Sequence, residues 1–218
     1  MTKEEILHIA KVIQFPHLEG KFNNYGGNII RMPVTRDDQY TTWAKNNHHV
    51  KTLVHFHKVM PVLSELLDIP FSEDDFQLQH NTSEGYDITM PYPIQSQLYT
   101  IKSLFRDEQF TNVPYEEFFI SNTRDEYACT AYHHLYKYAH ESSTVDNHTN
   151  QNGRRLFVLG DSHMIPLIPM LSVYFEHITY VDNRKKCQIL SKIDKISYTD
   201  AIIELSTQDL SEVLKGLI

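Results

Sequence analysis

The residues best suited to covalent chemistry are Gly160-Asp161-Ser162, which follow the apolar run Leu156-Phe157-Val158-Leu159 and precede an apolar segment reaching about Phe175. The first run reads as a strand buried on both faces, and the segment after the serine reads as a helix. A second apolar run, Ile178 to Val181, ends in Asp182-Asn183-Arg184. Residues 155–184 therefore predict a strand–turn–helix–strand unit with Ser162 at the carboxyl end of its first strand. Ligands bind at that end in open α/β sheets. A serine there can attack an acyl carbon while backbone N–H groups at 162 and 163 hold the oxyanion, helped by the positive end of the helix. Gly160 would let the backbone turn tightly. The competing role for Ser162 is a plain helix cap.

A serine nucleophile needs a base, and a third group to orient that base. The chain has 13 histidines, so their number selects none of them. His163, directly after the serine, either packs or faces solvent, or else substitutes as base. Asp161 either tunes the site or bonds loop N–H groups. Arg184 either holds an acyl or sugar oxygen or pairs with Asp182 or Glu176. His48, His49, His55 and His57 cluster in the sequence, as do His133 and His134. None has a standard zinc spacing, so no metal site is predicted.

The elements that must position these residues follow from the rest of the chain. Thr2-Lys3-Glu4-Glu5 is a capping-box pattern, and Ile6, Ile9, Ala10 and Ile13 continue at helical spacing to about Gln14. Residues 17–28 read as loop, and 28–34 as a short strand confined to an edge by Pro33. Residues 43–67 form the longest helical region, with Pro61 kinking or dividing it. Strands are expected at 86–90, 98–101 and 201–205, with a further short one near 118–120. Residues 70–126 otherwise read as an irregular, insert-like region. The polar stretch 142–153, SSTVDNHTNQNG, reads as a loop. Helices are expected after Arg184 and after Ser206. The order strand, helix, strand, helix, strand, helix from Arg155 onward predicts parallel pairing. At 218 residues the chain is expected to be one α/β domain spanning 1–218.

Composition excludes some function classes. A formal net charge of −8 and the lack of a basic patch argue against nucleic-acid binding. Cys129 and Cys187 make no disulfide framework and no zinc spacing. The N-terminal stretch, charged at Lys3, Glu4 and Glu5, does not read as a secretory signal, and no apolar run is long enough to span a bilayer.

Around Ser162 the sequence combines GDS with Pro169 in the following apolar stretch and the ending Tyr180-Val181-Asp182-Asn183-Arg184. This segment resembles the nucleophile block of SGNH-type hydrolases, and more narrowly their alginate-O-acetyltransferase-like and DHHW branches. In those branches the acid and base lie upstream as D-x-H-W at the start of a helix. The matching stretch is Asn47-His48-His49-Val50, which sets His49 on the base and Asn47 on the acid; a shift by one makes His48 the base. The resemblance implies a three-layer α/β fold with a mostly parallel sheet and transfer or removal of O-acetyl groups on a polysaccharide or other acylated carbohydrate. It implies a cell-envelope or secreted-polysaccharide setting, and no cofactor. Two departures matter. Asn47 stands where the branches have Asp, so the negative charge behind the imidazole is missing, and Val50 stands where they have Trp. Either another carboxylate substitutes, with Asp37 and Asp38 near in sequence, or catalysis is slow, or the fold serves binding.

Overall fold

The computed structural model describes residues 3–15, 28–38, 52–83, 86–118, 142–161, 163–182 and 197–205. His48, His49, Asn47, Arg184, both cysteines, Ser162 itself and the helices expected after Arg184 and Ser206 lie outside the described residues.

Eight strands form one mixed sheet: β1 (Ala10–Gln14), β2 (Ile29–Arg31), β5 (Leu98–Ser103), β6 (Gln109–Pro114), β7 (Ser142–Asn147), β8 (Arg155–Gly160), β9 (His177–Asp182) and β10 (Asp200–Leu205). Their order across the sheet is β2-β1-β10-β8-β9-β7-β5-β6. Pairing is parallel from β2 through β1, β10 and β8 to β9. It is antiparallel from β9 through β7 and β5 to β6. The sheet is thus parallel in one half and antiparallel in the other, where a mostly parallel one was expected. A separate hairpin pairs β3 (Phe76–Ser83) with β4 (Tyr86–Pro93). The described part of 70–126 is therefore regular, and two of its strands extend the main sheet.

The central strands split their side chains between two faces, as the period of two requires. Leu156, Val158, Ile178, Tyr180 and Ile202 join the larger core. Phe157, Leu159, Val181, Ala201 and Ile203 join the smaller one. Helices cover both: α3 (Met60–Leu67) and α4 (Leu167–Ser172) pack on the first, and Ile6 of α1 (Lys3–Ile9) packs on the second. Arg154 links layers by donating to the Asp68 carbonyl beyond α3 and to Asp200 of β10, each at 2.8 Å.

Three expectations are corrected. The first helix ends at Ile9, and residues 10–14 become β1, in parallel register with β10. Ile13 serves either period, and burial between two sheet neighbours outweighs helical propensity. Residues 142–147 are not loop but β7, inside the sheet. Ser142, Ser143 and Asn147 are buried, and two of them are bonded by their side chains: Ser142 Oγ accepts from the Asp182 N–H at 3.0 Å, and Asn147 Nδ2 donates to Gln97 Oε1 and the Ser172 carbonyl. Side-chain partners remote in sequence hide such a strand from a hydropathy reading. Last, the described part of the long helical region starts with the short α2 (Thr52–Val54), runs through a π-helical turn at His55–Val59 and continues as α3. Pro61 falls in the first turn of α3, where its missing N–H costs least, so the irregularity lies just before it.

Candidate functional site

Strand β8 is the point at which strand order reverses. The chain passes from β8 to β9 on one side, then returns to place β10 on the other. The crevice beyond the carboxyl end of such a strand is the usual ligand position in α/β sheets. Three neighbouring strands end there together. Gly160 pairs with Asp182, and Leu159 pairs with Ile203, so that Glu204 follows beside Gly160.

The polar groups at these ends are buried: Asp161 is 5% exposed, His163 1%, and Asp182 and Glu204 0%. They are held by a short network. The Asp161 N–H donates to Glu204 Oε2 at 2.9 Å. Asp161 Oδ1 accepts from the His163 N–H at 2.8 Å and meets His163 Nδ1 at 2.6 Å. The Tyr180 hydroxyl donates to the Asp161 carbonyl at 3.1 Å, as does the Met164 N–H. Both residues that flank Ser162 in sequence are therefore clamped to three strand ends. Asp161 bonds a loop N–H, one of its two expected roles. His163 packs, its ring stacked on Phe15 with centroids 5.3 Å apart.

Three local expectations change. Gly160 does not take a left-handed backbone; Gly153 is the one glycine with positive φ among the described residues. The role of Gly160 is to leave room, because a Cβ at 160 would overlap Met164 Cγ and lie 3.2 Å from Glu204 Cβ. Gly160→Ala is expected to cost about 1–3 kcal/mol through overpacking, seen as a lowered Tm in thermal unfolding. Helix α4 starts at Leu167 with Pro166 as its cap residue, so its cap is not Ser162. The His163 N–H, expected at an oxyanion, is here committed to Asp161.

Nothing in the sequence singles out Glu204, because the run Ile202-Ile203-Glu204-Leu205 reads simply as buried strand, and 43 residues separate it from Asp161. Burial, then the charge of Asp161, raises its carboxyl well above the usual range. One oxygen, Oε1, has no hydrogen-bond partner among the described residues. The folded state keeps this proton where the unfolded chain has lost it. Stability therefore falls as pH rises from the ordinary carboxylate pKa toward the elevated one. Glu204→Gln, which mimics the neutral acid, is expected to flatten that slope and raise Tm at pH 8. Melting curves from pH 4 to 8 measure it.

Asp161, His163 and Glu204 also bring donor atoms within 4.8 Å of one another, a spacing compatible with a metal ion. The 2.6 Å contact from His163 Nδ1 to Asp161 is a hydrogen-bond geometry, and a proton on Glu204 offsets the second acid. Shared protons account for the cluster without an ion.

The upstream side approaches the same place. Phe15, just past the carboxyl end of β1, lies between His163 and His55, the latter at 5.7 Å in an edge contact. His55 is buried, six residues after His49 in sequence. His57 instead faces Glu73 at 2.8 Å. Of the carboxylates near the upstream motif, Asp38 is spent on Lys58 and Thr35: its oxygens accept from Lys58 Nζ at 2.8 Å and from the Thr35 N–H and hydroxyl.

Solved structures share the fold. A DHHW family protein from Eubacterium siraeum DSM 15702 superposes with a TM-score of 0.58 at 19% identity, over 99% of this chain and 84% of that one. Bacillus cereus PatB1 gives 0.59 at 14% identity, over 95% and 84%. The same protein with a sulfonyl adduct gives 0.59 at 15%, over 94% and 82%. The chain has their fold. No family model and no curated protein sequence matches it.

Proposed function

We propose that the chain is a serine-dependent enzyme that moves or removes acetyl groups on a polysaccharide or other acylated carbohydrate. Ser162 Oγ attacks the ester carbonyl, and the imidazole of His49 takes the hydroxyl proton. His48 fills that role if the upstream match is shifted by one residue. The tetrahedral intermediate collapses to an acyl-enzyme as the imidazolium returns the proton to the departing hydroxyl. Water or a second sugar hydroxyl then attacks the acyl carbon, its proton passing to the same imidazole, and Ser162 leaves protonated. Asn47 orients the ring from the acid position, and Arg184 binds an acyl or sugar oxygen. The reaction needs no cofactor.

One observation carries this reading. The residues on both sides of Ser162 are locked at the carboxyl ends of β8, β9 and β10, where strand order reverses. The contact of His163 through Phe15 to His55 supports it, because it brings the segment that follows His49 against the same turn. The likeness to PatB1, solved with a sulfonyl adduct, adds that a protein of this fold has been captured with an electrophile attached.

The test is covalent labelling. A fluorophosphonate or sulfonyl fluoride is expected to add once per chain, and peptide mapping is expected to find it on Ser162. Absence of label on Ser162 at millimolar reagent overturns the proposal. Asn47 and Val50, in place of the Asp and Trp of the resembled branches, favour a second reading, a carbohydrate-binding protein that has lost turnover. It predicts saccharide binding indifferent to Ser162→Ala, with no label.

A further inference from the structure

Glu204 is a buried acid that the proposed reaction leaves unused. It sits near the carboxyl end of β10, out of contact with water. Side chains alternate along a strand, so Glu204 shares a face with Ile202, which belongs to the larger core. By the same alternation Gly160 lies on that face of β8 with Val158, and Asp182 on that face of β9 with Tyr180. The three positions run side by side across the strand ends, with Gly160 paired to Asp182 and Glu204 beside Gly160. Two buried acids thus flank a position that has no side chain.

Glu204 reaches Asp161 in two ways. Its Oε2 accepts from the Asp161 N–H at 2.9 Å. Its carboxyl also hydrogen-bonds the Asp161 side chain. That side chain in turn accepts from the His163 N–H at 2.8 Å and meets His163 Nδ1 at 2.6 Å. On the other side of the Asp161 Cα, the carbonyl accepts from the Tyr180 hydroxyl and the Met164 N–H, each at 3.1 Å. That carbonyl belongs to the peptide joining Asp161 to Ser162. The chain therefore enters Ser162 from a backbone held at both of its peptide groups, and Glu204 supplies one of the two holds.

The contact suits a neutral carboxyl. Two adjacent acids away from water do not both ionise cheaply. Burial, then the charge of Asp161, keeps the proton on Glu204, and Asp182 adds to the effect. The neutral group has an oxygen that accepts from the Asp161 N–H and an O–H that donates to the Asp161 carboxylate. Ionised, it keeps the first, loses the second and repels Asp161. Among the described residues, the titratable groups around this contact are Asp161 and His163 from the turn after β8, with Asp182 and Tyr180 from β9. Strand β1 sets uncharged Ile13 opposite Glu204, with Gln14 following it.

We propose that Glu204 is a positioning residue for the reaction at Ser162: from β10 it holds the N–H and the carboxylate of Asp161, and so fixes the turn that carries the serine. The role rests on the reading of Ser162 as nucleophile. It gives the reaction an alkaline limit. As pH rises, the base first loses its proton and the rate climbs; then Glu204 ionises, its O–H donor disappears and the rate falls.

The experiment measures the rate of fluorophosphonate labelling at Ser162 in the full chain from pH 5 to 10, with a melting curve at each pH. Wild type, Glu204→Gln and Glu204→Met are compared, and Ser162→Ala gives the background. Wild type is expected to rise and then fall. Glu204→Gln accepts and donates as the neutral acid does and does not ionise, so it is expected to label within about twofold of the wild-type maximum and to show no alkaline fall. Glu204→Met leaves the Asp161 N–H buried without a partner and is expected to label about tenfold slower or more at every pH. A merely structural Glu204 lowers Tm in Glu204→Met and leaves the labelling rate and the pH profile alone; that result overturns the proposal. An alkaline fall that is missing in wild type, or that persists in Glu204→Gln, overturns it too, and this comparison stands even where Glu204→Met does not fold. Wild type that takes no label on Ser162 overturns the proposed reaction and this role with it, whereas labelled wild type with unresponsive Glu204 variants overturns this role alone.

Discussion

Ser162→Ala is expected to abolish p-nitrophenyl acetate hydrolysis above background, with a loss on the order of 10³–10⁶ in kcat depending on wild-type speed. Alanine removes the proposed nucleophile and leaves the bonds of the clamp in place, because Asp161 and His163 carry those bonds themselves. Tm is therefore expected to move little. A capping serine gives the opposite pattern: about 1 kcal/mol of stability lost and no change in rate. Helix α4 starts at Leu167 with Pro166 in the cap position, so the stability loss has no source there. Wild type and variant hydrolysing ester equally overturn the proposed reaction, and measuring Tm and rate on the same preparations separates the two roles.

Asn47→Asp is expected to raise kcat for the same ester. An amide orients an imidazole, but it supplies no charge to stabilise the imidazolium that the proposed attack by Ser162 would form. In a serine protease with a Ser-His-Asp triad the reverse change, Asp to Asn, costs about 10⁴ in kcat, which sets the ceiling for the gain. A gain of tenfold or more marks Asn47 as the acid position. Adding His49→Ala to Asn47→Asp is expected to erase the gain, because the new carboxylate acts only through that ring. If His48→Ala erases it and His49→Ala does not, the base is His48. No gain in Asn47→Asp means that the orienting acid is elsewhere. Asp38 is a poor substitute, since Lys58 and Thr35 already occupy its oxygens.

Much of the second half of the chain is legible from residue order. Short apolar runs mark the strands at 155–160, 177–182 and 200–205. They lie at the centre of the sheet and are buried on both faces, so their hydropathy needs no alternation. Strand β2 is at the sheet edge as expected, but it ends at Arg31, before Pro33; the strands β4 and β5 follow from their aromatic and β-branched residues. Where polar residues are buried, residue order misleads. Strand β7 reads as loop because Ser142 and Asn147 look solvated until their partners, Asp182, Gln97 and Ser172, are brought beside them. Strand β1 reads as helix because five residues next to a helix carry too little period to decide.

For the GDS turn, the sequence alone determined that a hydroxyl follows a buried strand, and that an Asn-His-His stretch far upstream resembles its partner motif. Local residue order sets both. The tertiary structure decided what surrounds the turn. Gly160 is there because Met164 and Glu204 crowd it, Asp161 is anchored to Glu204 and His163, and β8 is where strand order reverses. Glu204 lies 43 residues from Asp161 and becomes its neighbour only when β10 pairs with β8. Its carboxyl keeps the proton because it sits next to another acid and away from water, and both conditions exist only in the folded chain.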